Sequence, residues 1–235
     1  HWGNDAAKSR PQALAGSAQA HAVAGHAAPA TWTERAKAER AKWDDYVSEN
    51  TRVGNGPASY AQAIGEVNRL CHPRDRVVAA AGGLPAEVTA NWKTMAVGTV
   101  DVEFGFSCMG YEIAGGWGAR IAQSQREPER DTIVFTGDGS YLLMNSDIYS
   151  SVLTEMKMIV LVLDNGGFAV INKLQNNTGN ESFNNLISDT PTATHQVEVD
   201  FAAHARAMGA EAETVSSPAE LEAAFTRAQA SEKTY

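Results

Sequence analysis

Cysteine is nearly missing from this chain of 235 residues: Cys71 and Cys108 stand far apart in apolar surroundings, with neither CxxC nor Cys/His ligand spacing. That excludes a disulfide framework and a zinc-finger type of site, and it fits a reduced, cytoplasmic protein. Long apolar runs are missing too. The longest, 158–163, spans six residues, far below the roughly 18 a spanning helix needs, and no basic segment followed by an apolar stretch opens the chain. Neither membrane insertion nor targeting is expected. Positive charge is in deficit, with 19 Lys and Arg against 28 Asp and Glu for a net charge of -9. No global field therefore draws the chain to nucleic acid or an anionic membrane, although a local anion site stays open. Eight prolines and 20 glycines give no collagen-like excess, while 43% apolar and 20% charged residues exclude a disordered polyampholyte. What is left is a folded protein of one domain, or one domain and part of another. The chain opens on His1 rather than Met and stops just after a helical pattern, where an α/β unit would continue into a strand, so it reads as a fragment.

Residues 1–30 hold eleven alanines and no large apolar residue beyond Trp2, Leu14 and Val23, the texture of weak helix and linker. An Ala/Lys/Glu/Arg-rich run from Thr33 to Ser48 predicts a surface helix anchored by Trp32, Trp43, Tyr46 and Val47, stopped at 55–57. A second helix over 59–70 sets Tyr60, Ile64 and Val67 at i, i+4 and i+7, a stripe that faces a core. From there the pattern changes to apolar runs at 76–81, 133–136, 158–163 and, weakly, 213–215. Helices are expected between them at 85–92, 110–123, 144–155, 201–208 and 218–230. Continuous apolar strands suit a parallel sheet covered on both faces, so the fold class is a doubly wound α/β domain behind a helical lead-in. Its expected limits are 73–235, with 1–72 as the tail of a preceding domain and a linker, and with the last strand missing. The segment 172–189, rich in Asn, Gly and Ser, reads as an irregular loop or lid.

Ligands of such sheets bind beyond the carboxyl ends of the strands. After the strand at 133–136 come Gly137, Asp138, Gly139 and Ser140, in which two glycines flank a carboxylate. Backbone N–H groups can approach an anion there while the Asp holds a hard cation. Twenty-four residues separate Gly139 from Asp164, which is helix followed by strand, and that strand runs into Asp164, Asn165, Gly166 and Gly167. Adjacent strands would then present Asp138 and Asn165 side by side, with the Gly167 carbonyl able to turn inward. Such a set of oxygens suits Mg²⁺; the competing reading is an ordinary turn in which Asn165 and the glycines merely supply positive φ.

Three segments together, 103–115 (EFGFSCMGYEIAG), 137–142 (GDGSYL) and 164–175 (DNGGFAVINKLQ), resemble the thiamine-diphosphate-dependent enzymes, among them acetolactate synthase and pyruvate decarboxylase. Within that family they look like the trihydroxycyclohexanedione hydrolases, which open a cyclic polyol-dione in myo-inositol breakdown. The resemblance implies that Asp138, Asn165 and the Gly167 carbonyl bind Mg²⁺ and that Gly139 and Ser140 hold the diphosphate. It places Gly82, Gly83 and Leu84 in the first diphosphate loop, Met109 as the apolar wedge under the cofactor, and the Ser107 carbonyl as acceptor for the aminopyrimidine. The glutamate that activates the cofactor belongs, in this family, to a separate N-terminal domain of another subunit, and no segment of this chain matches that domain. The chain alone is then expected to be inactive, the intact protein to be a homo-oligomer with its site at a subunit interface, and Glu103 and Glu112 to serve as capping or pairing groups. A carboligase or decarboxylase of the same cofactor class, and a module that only binds, stay open as alternatives. Two departures stand out, Asp164 where the family more often has Asn and Gly166 where close relatives have His. His21, His26, His72, His195 and His204 lack ligand spacing, and Trp43, Trp92 and Trp117 read as packing residues.

Overall fold

The computed structural model describes residues 24–54, 58–191 and 197–235. The expected helix stop at 55–57, with Trp2, Leu14, Val23, His21 and His195, lies outside them. The chain divides into two compact units, His1–Tyr46 and Val47–Tyr235.

In the first unit the described part is mainly the beginning of α1 (Ala30–Asn50). Its exposed ion pairs follow helical spacing, Lys37 with Glu34 at 3.1 Å and Arg40 with Asp44 at 3.2 Å, and the Arg40 guanidinium lies 4.5 Å from the Trp43 ring centroid. The expected anchors divide: Val47 is buried, whereas Trp32 and Tyr46 are exposed.

The second unit is built on a parallel sheet in the order β2-β1-β3-β4, comprising β1 (Arg76–Ala79), β2 (Val100–Val102), β3 (Thr132–Gly137) and β4 (Ile159–Leu163). The pleat sends alternate residues to opposite faces. Val77, Ala79, Ile133, Phe135 and Ile159 pack with Ile64 and Val67 of α2 (Tyr60–Leu70), Leu84 and Val88 of α3 (Gly83–Asn91), and Phe225 of the C-terminal helix. Val78, Val134 and Met158 turn the other way, against Ile113 of α4 (Tyr111–Ser124) and Ile148. Helices therefore cover both faces, as the continuous apolar strands require. Helix and sheet approach closely under Gly116 of α4, where an added Cβ would stand 2.4 Å from Val134 Cγ2.

Several sequence-based expectations are corrected. The helix expected at 144–155 is shorter, α6 (Asp147–Leu153), and a separate short helix that was not expected, α5 (Asp138–Leu143), precedes it. Met144 between them is extended, and the Asn145 side chain donates to the Tyr141 carbonyl at 2.9 Å, closing the first helix before the second begins. β2, only three residues long, is too short for its alternation to be seen. The segment 172–189 is not wholly irregular: α7 (Ala169–Asn177) and a 3₁₀ turn (Ile187–Asp189) occupy much of it. After α8 (Phe201–Ala207), residues 213–215 form no strand. A groove of about 1140 Å³ is lined by residues of both that stretch and β4, among them Thr214, Ser216, Val160 and Val162. After α9 (Pro218–Ala230), Tyr235 reaches the β4 edge, where its N–H donates to the Met158 carbonyl at 3.0 Å and its carbonyl accepts from the Val160 N–H at 2.7 Å.

Candidate functional site: the ends of four strands

The register of β3 and β4 sets Gly137 opposite Leu163. The next residues of the two strands, Asp138 and Asp164, therefore leave the sheet together. Asp138 is 3% exposed, and its carboxylate is held by backbone donors of the neighbouring loop, the Gly167 N–H at 2.7 Å and the Asn165 N–H at 3.5 Å. Gly167 meets Asp138 through its N–H. It has φ +138°, and a Cβ there would lie 2.5 Å from the Asn185 carbonyl oxygen, so no other residue fits the turn. Burial, and then the charge of Asp164, push the Asp138 carboxyl above the usual carboxylate range, against the pull of the backbone N–H donors.

The loop after β3 meets the other loops closely. A Cβ on Gly139 would fall 2.6 Å from the Phe168 ring and 3.7 Å from Met109 Cε, which brings the loops after β2, β3 and β4 to one place. Ser140 is buried beside them. Gly82 caps α3 at φ +98° in open space, and Gly83, whose Cβ would sit 3.5 Å from Val170 Cβ, opens that helix against α7. Leu84 turns its side chain into the core and can offer the site only its backbone. Ser107 is exposed and left-handed, at φ +54°. The structure thus gathers Gly82, Gly83, Met109, Asp138, Gly139, Ser140, Asn165 and Gly167 where the strands end, with Ser107 on the loop that leads into Met109.

The two glutamates of the 103–115 segment organise backbone. Glu103 accepts from the Phe106 N–H at 2.8 Å and the Cys108 N–H at 2.9 Å, and these donors lower its carboxyl. Glu112 is buried; its Oε2 accepts from the Gly110 N–H at 2.8 Å, while Oε1 has no partner in hydrogen-bonding geometry. Burial pushes its carboxyl up, opposed by nearby donors that include the Ser140 side chain and the Ala81 backbone. Sequence reasoning missed three contributors. Phe168 covers Gly139, Asp164 acts on Asp138, and Tyr60 accepts a hydrogen bond from Asn165 Nδ2. Nothing in the local sequence announces these, because each depends on which loop faces which.

The remaining candidates lie apart from this chemistry. His72 Nδ1 accepts from the Arg74 N–H at 3.1 Å, and His204 Nδ1 meets the Tyr141 hydroxyl at 3.0 Å. Trp92 packs edge-on to Phe135, and Trp117 donates to Thr154 at 3.0 Å. Among the described residues no group of three or more His, Cys, Asp or Glu could hold a metal. A cation at Asp138 would therefore need amide, carbonyl or phosphate oxygens as its other ligands. The donor chemistry suits a hard divalent ion, and a carboxylate raised first by burial and then by the charge of Asp164 is the kind of group such an ion would relieve. Cys71 is buried, which pushes its thiol up to about 12, whereas Cys108 is exposed.

Residues 80–235 match the family model described as thiamine pyrophosphate enzyme, C-terminal TPP binding domain. The chain belongs to the thiamine pyrophosphate enzymes. Curated members similar to it include two proteins of one Bacillus cereus strain, named 3D-(3,5/4)-trihydroxycyclohexane-1,2-dione hydrolase 2 and hydrolase 1, at 33% and 36% identity over 192 residues. A hydrolase of the same name from Bacillus thuringiensis (strain Al Hakam) is 35% identical over 192 residues. The match takes in 80% of this chain but 29% of each of these relatives, so the chain spans less than a third of their length. The fold is shared with benzoylformate decarboxylase from Polynucleobacter necessarius, with TM-score 0.63 and 16% identity over 75% of this chain and 32% of that one. The family resemblance read from the three motif segments is thereby shown, as is the α/β fold. No described helix is long and apolar enough to cross a membrane.

Proposed function

We propose that the chain is the cofactor-holding part of a thiamine-diphosphate-dependent hydrolase that opens the carbocycle of 3D-(3,5/4)-trihydroxycyclohexane-1,2-dione by C–C cleavage, giving 5-deoxy-glucuronate. The observation that carries the cofactor half of this reading is the meeting of Asp138 with the Asn165–Gly167 turn at the ends of paired strands. The names of the relatives, at 33–36% identity, support the substrate half.

Asp138 and Asn165, with the Gly167 carbonyl, would hold Mg²⁺. Gly82, Gly83, Gly139 and Ser140 would hold the diphosphate through backbone N–H groups and the hydroxyl, at helix starts where such groups are otherwise unpaired. Met109, seated against Gly139, would support the cofactor rings. Thiamine diphosphate, when bound, supplies an electron sink for cleavage next to a carbonyl. Glu103 and Glu112 are committed to backbone N–H groups of their own segment, which fits an activating carboxylate supplied by another domain and an isolated chain that turns nothing over. Phe106, Leu142 and Met144 stand exposed on these loops, which fits a homo-oligomer with its site at a subunit interface. The free thiols of Cys71 and Cys108 suit the cytoplasm.

Asp138→Ala in the complete enzyme tests the cofactor half: thiamine diphosphate should no longer be retained through gel filtration, and normal retention by a folded variant refutes the assignment. Product analysis with the cyclic dione and with pyruvate tests the substrate half, since turnover of pyruvate alone would mark a carboligase or decarboxylase.

A further inference from the structure

Tyr60 belongs to the helical lead-in, before the residues that the family model matches, yet its hydroxyl reaches the turn after β4. The side-chain Nδ2 of Asn165 donates to it. A carboxamide has one donor end and one acceptor end. With the NH₂ committed to Tyr60, Oδ1 is the end that remains free, and oxygen is what a hard divalent cation accepts. We propose that Tyr60 is a positioning residue that fixes the Asn165 amide with its oxygen available to the cation of the cofactor site. This inference rests on the cofactor reading given above.

Two features make Tyr60 a firm reference point. It is the first residue of α2, whose start is locked by a reciprocal cap in which the Gln62 N–H donates to Ser59 Oγ at 3.2 Å and the Ser59 N–H donates to Gln62 Oε1 at 2.9 Å. Its ring packs against the core cluster that also receives Leu161 and Leu163 of β4, the strand that delivers Asn165. The Asn165 backbone is fixed separately, because its N–H points at Asp138 Oδ1. Only the rotation of the side-chain amide remains to be set, and among the described residues the hydrogen bond that this amide donates goes to Tyr60.

Groups that orient a metal ligand typically change metal affinity by about 10–100-fold when removed. The test is a double-mutant cycle in the complete enzyme, reading Mg²⁺ affinity at saturating thiamine diphosphate by intrinsic fluorescence and Mn²⁺ affinity by electron paramagnetic resonance. Tyr60→Phe should fold with an unchanged metal-free Tm and bind either cation roughly tenfold or more weakly. Asn165→Asp presents oxygen at both ends of the side chain, so orientation no longer matters. In that background Tyr60→Phe should cost little. Equal losses in the two backgrounds would mean that Tyr60 is only structural, and unchanged affinity in Tyr60→Phe beside abolished binding in Asp138→Ala would also overturn the proposal while sparing the cofactor reading. If the unmodified enzyme binds neither cation in the presence of thiamine diphosphate, the cofactor reading fails and this inference falls with it.

Discussion

Alanine at Gly116 would place a methyl group 2.4 Å from Val134 Cγ2 and 3.2 Å from Met158 Sδ, where carbon atoms normally settle at about 3.5–4.0 Å. Val134 cannot easily yield. It is β-branched, fully buried, and lies in a strand flanked by β1 and β4. Helix α4 must therefore ride outward by about 1 Å or Val134 must leave its rotamer, an overpacking that costs about 1–3 kcal/mol. Replacing glycine by alanine inside a helix also brings a gain of about 0.8–1.0 kcal/mol, which has to be removed to see the packing effect. Gly118 of the same helix provides that correction, since it is exposed and an added Cβ would have nothing within 4 Å. Gly118→Ala should thus gain up to about 1 kcal/mol, and Gly116→Ala should fall below it by about 1–3 kcal/mol. For a chain of this size each kcal/mol moves Tm by about 2–4 °C, so the two variants should differ by several degrees in calorimetry, with Gly118→Ala the higher. The site should respond as well: α4 begins beside Met109, so the outward shift should weaken cofactor binding in Gly116→Ala and leave it intact in Gly118→Ala. Equal Tm values for the two variants would show that α4 does not rest on Val134 as described.

Met109→Leu preserves volume and should keep substantial turnover in the complete enzyme, whereas Met109→Ala should fold and lose most of it; equal activity would reduce Met109 to ordinary packing. Glu112 gives a pH test. Its carboxyl is raised in the fold by burial, so its contribution to stability is complete below the unfolded value of about 4.3 and is lost as pH rises through the folded value. Stability relative to Glu112→Gln should consequently decline between pH 4 and neutrality, measured by urea denaturation at fixed ionic strength, and a difference independent of pH would show that the carboxyl is unperturbed.

Apolar runs and a glycine-flanked acid were enough to read the central strands, the α/β class and the Asp138 and Asn165 pair from the sequence. Each depends on local chemistry: continuous Val, Ile and Leu suit only a strand covered on both faces, and helix plus strand in the 24 residues between Gly139 and Asp164 brings the two strand ends together. The segment 213–215 reads as a strand for the same local reasons, but a strand also needs a neighbour in register, and the described sheet does not include it. The separate helix α5 and the later start of α6 were not legible, because the hydrogen bond from Asn145 to Tyr141 that divides them exists only once α5 has formed. Tertiary structure alone settled the rest of the site. Tyr60 is 105 residues from Asn165, and Phe168 lies against Gly139 across two loops. No periodicity or motif encodes such pairs, because their meeting is fixed by the crossover of the chain and the register of β3 on β4, and not by any preference of the residues themselves.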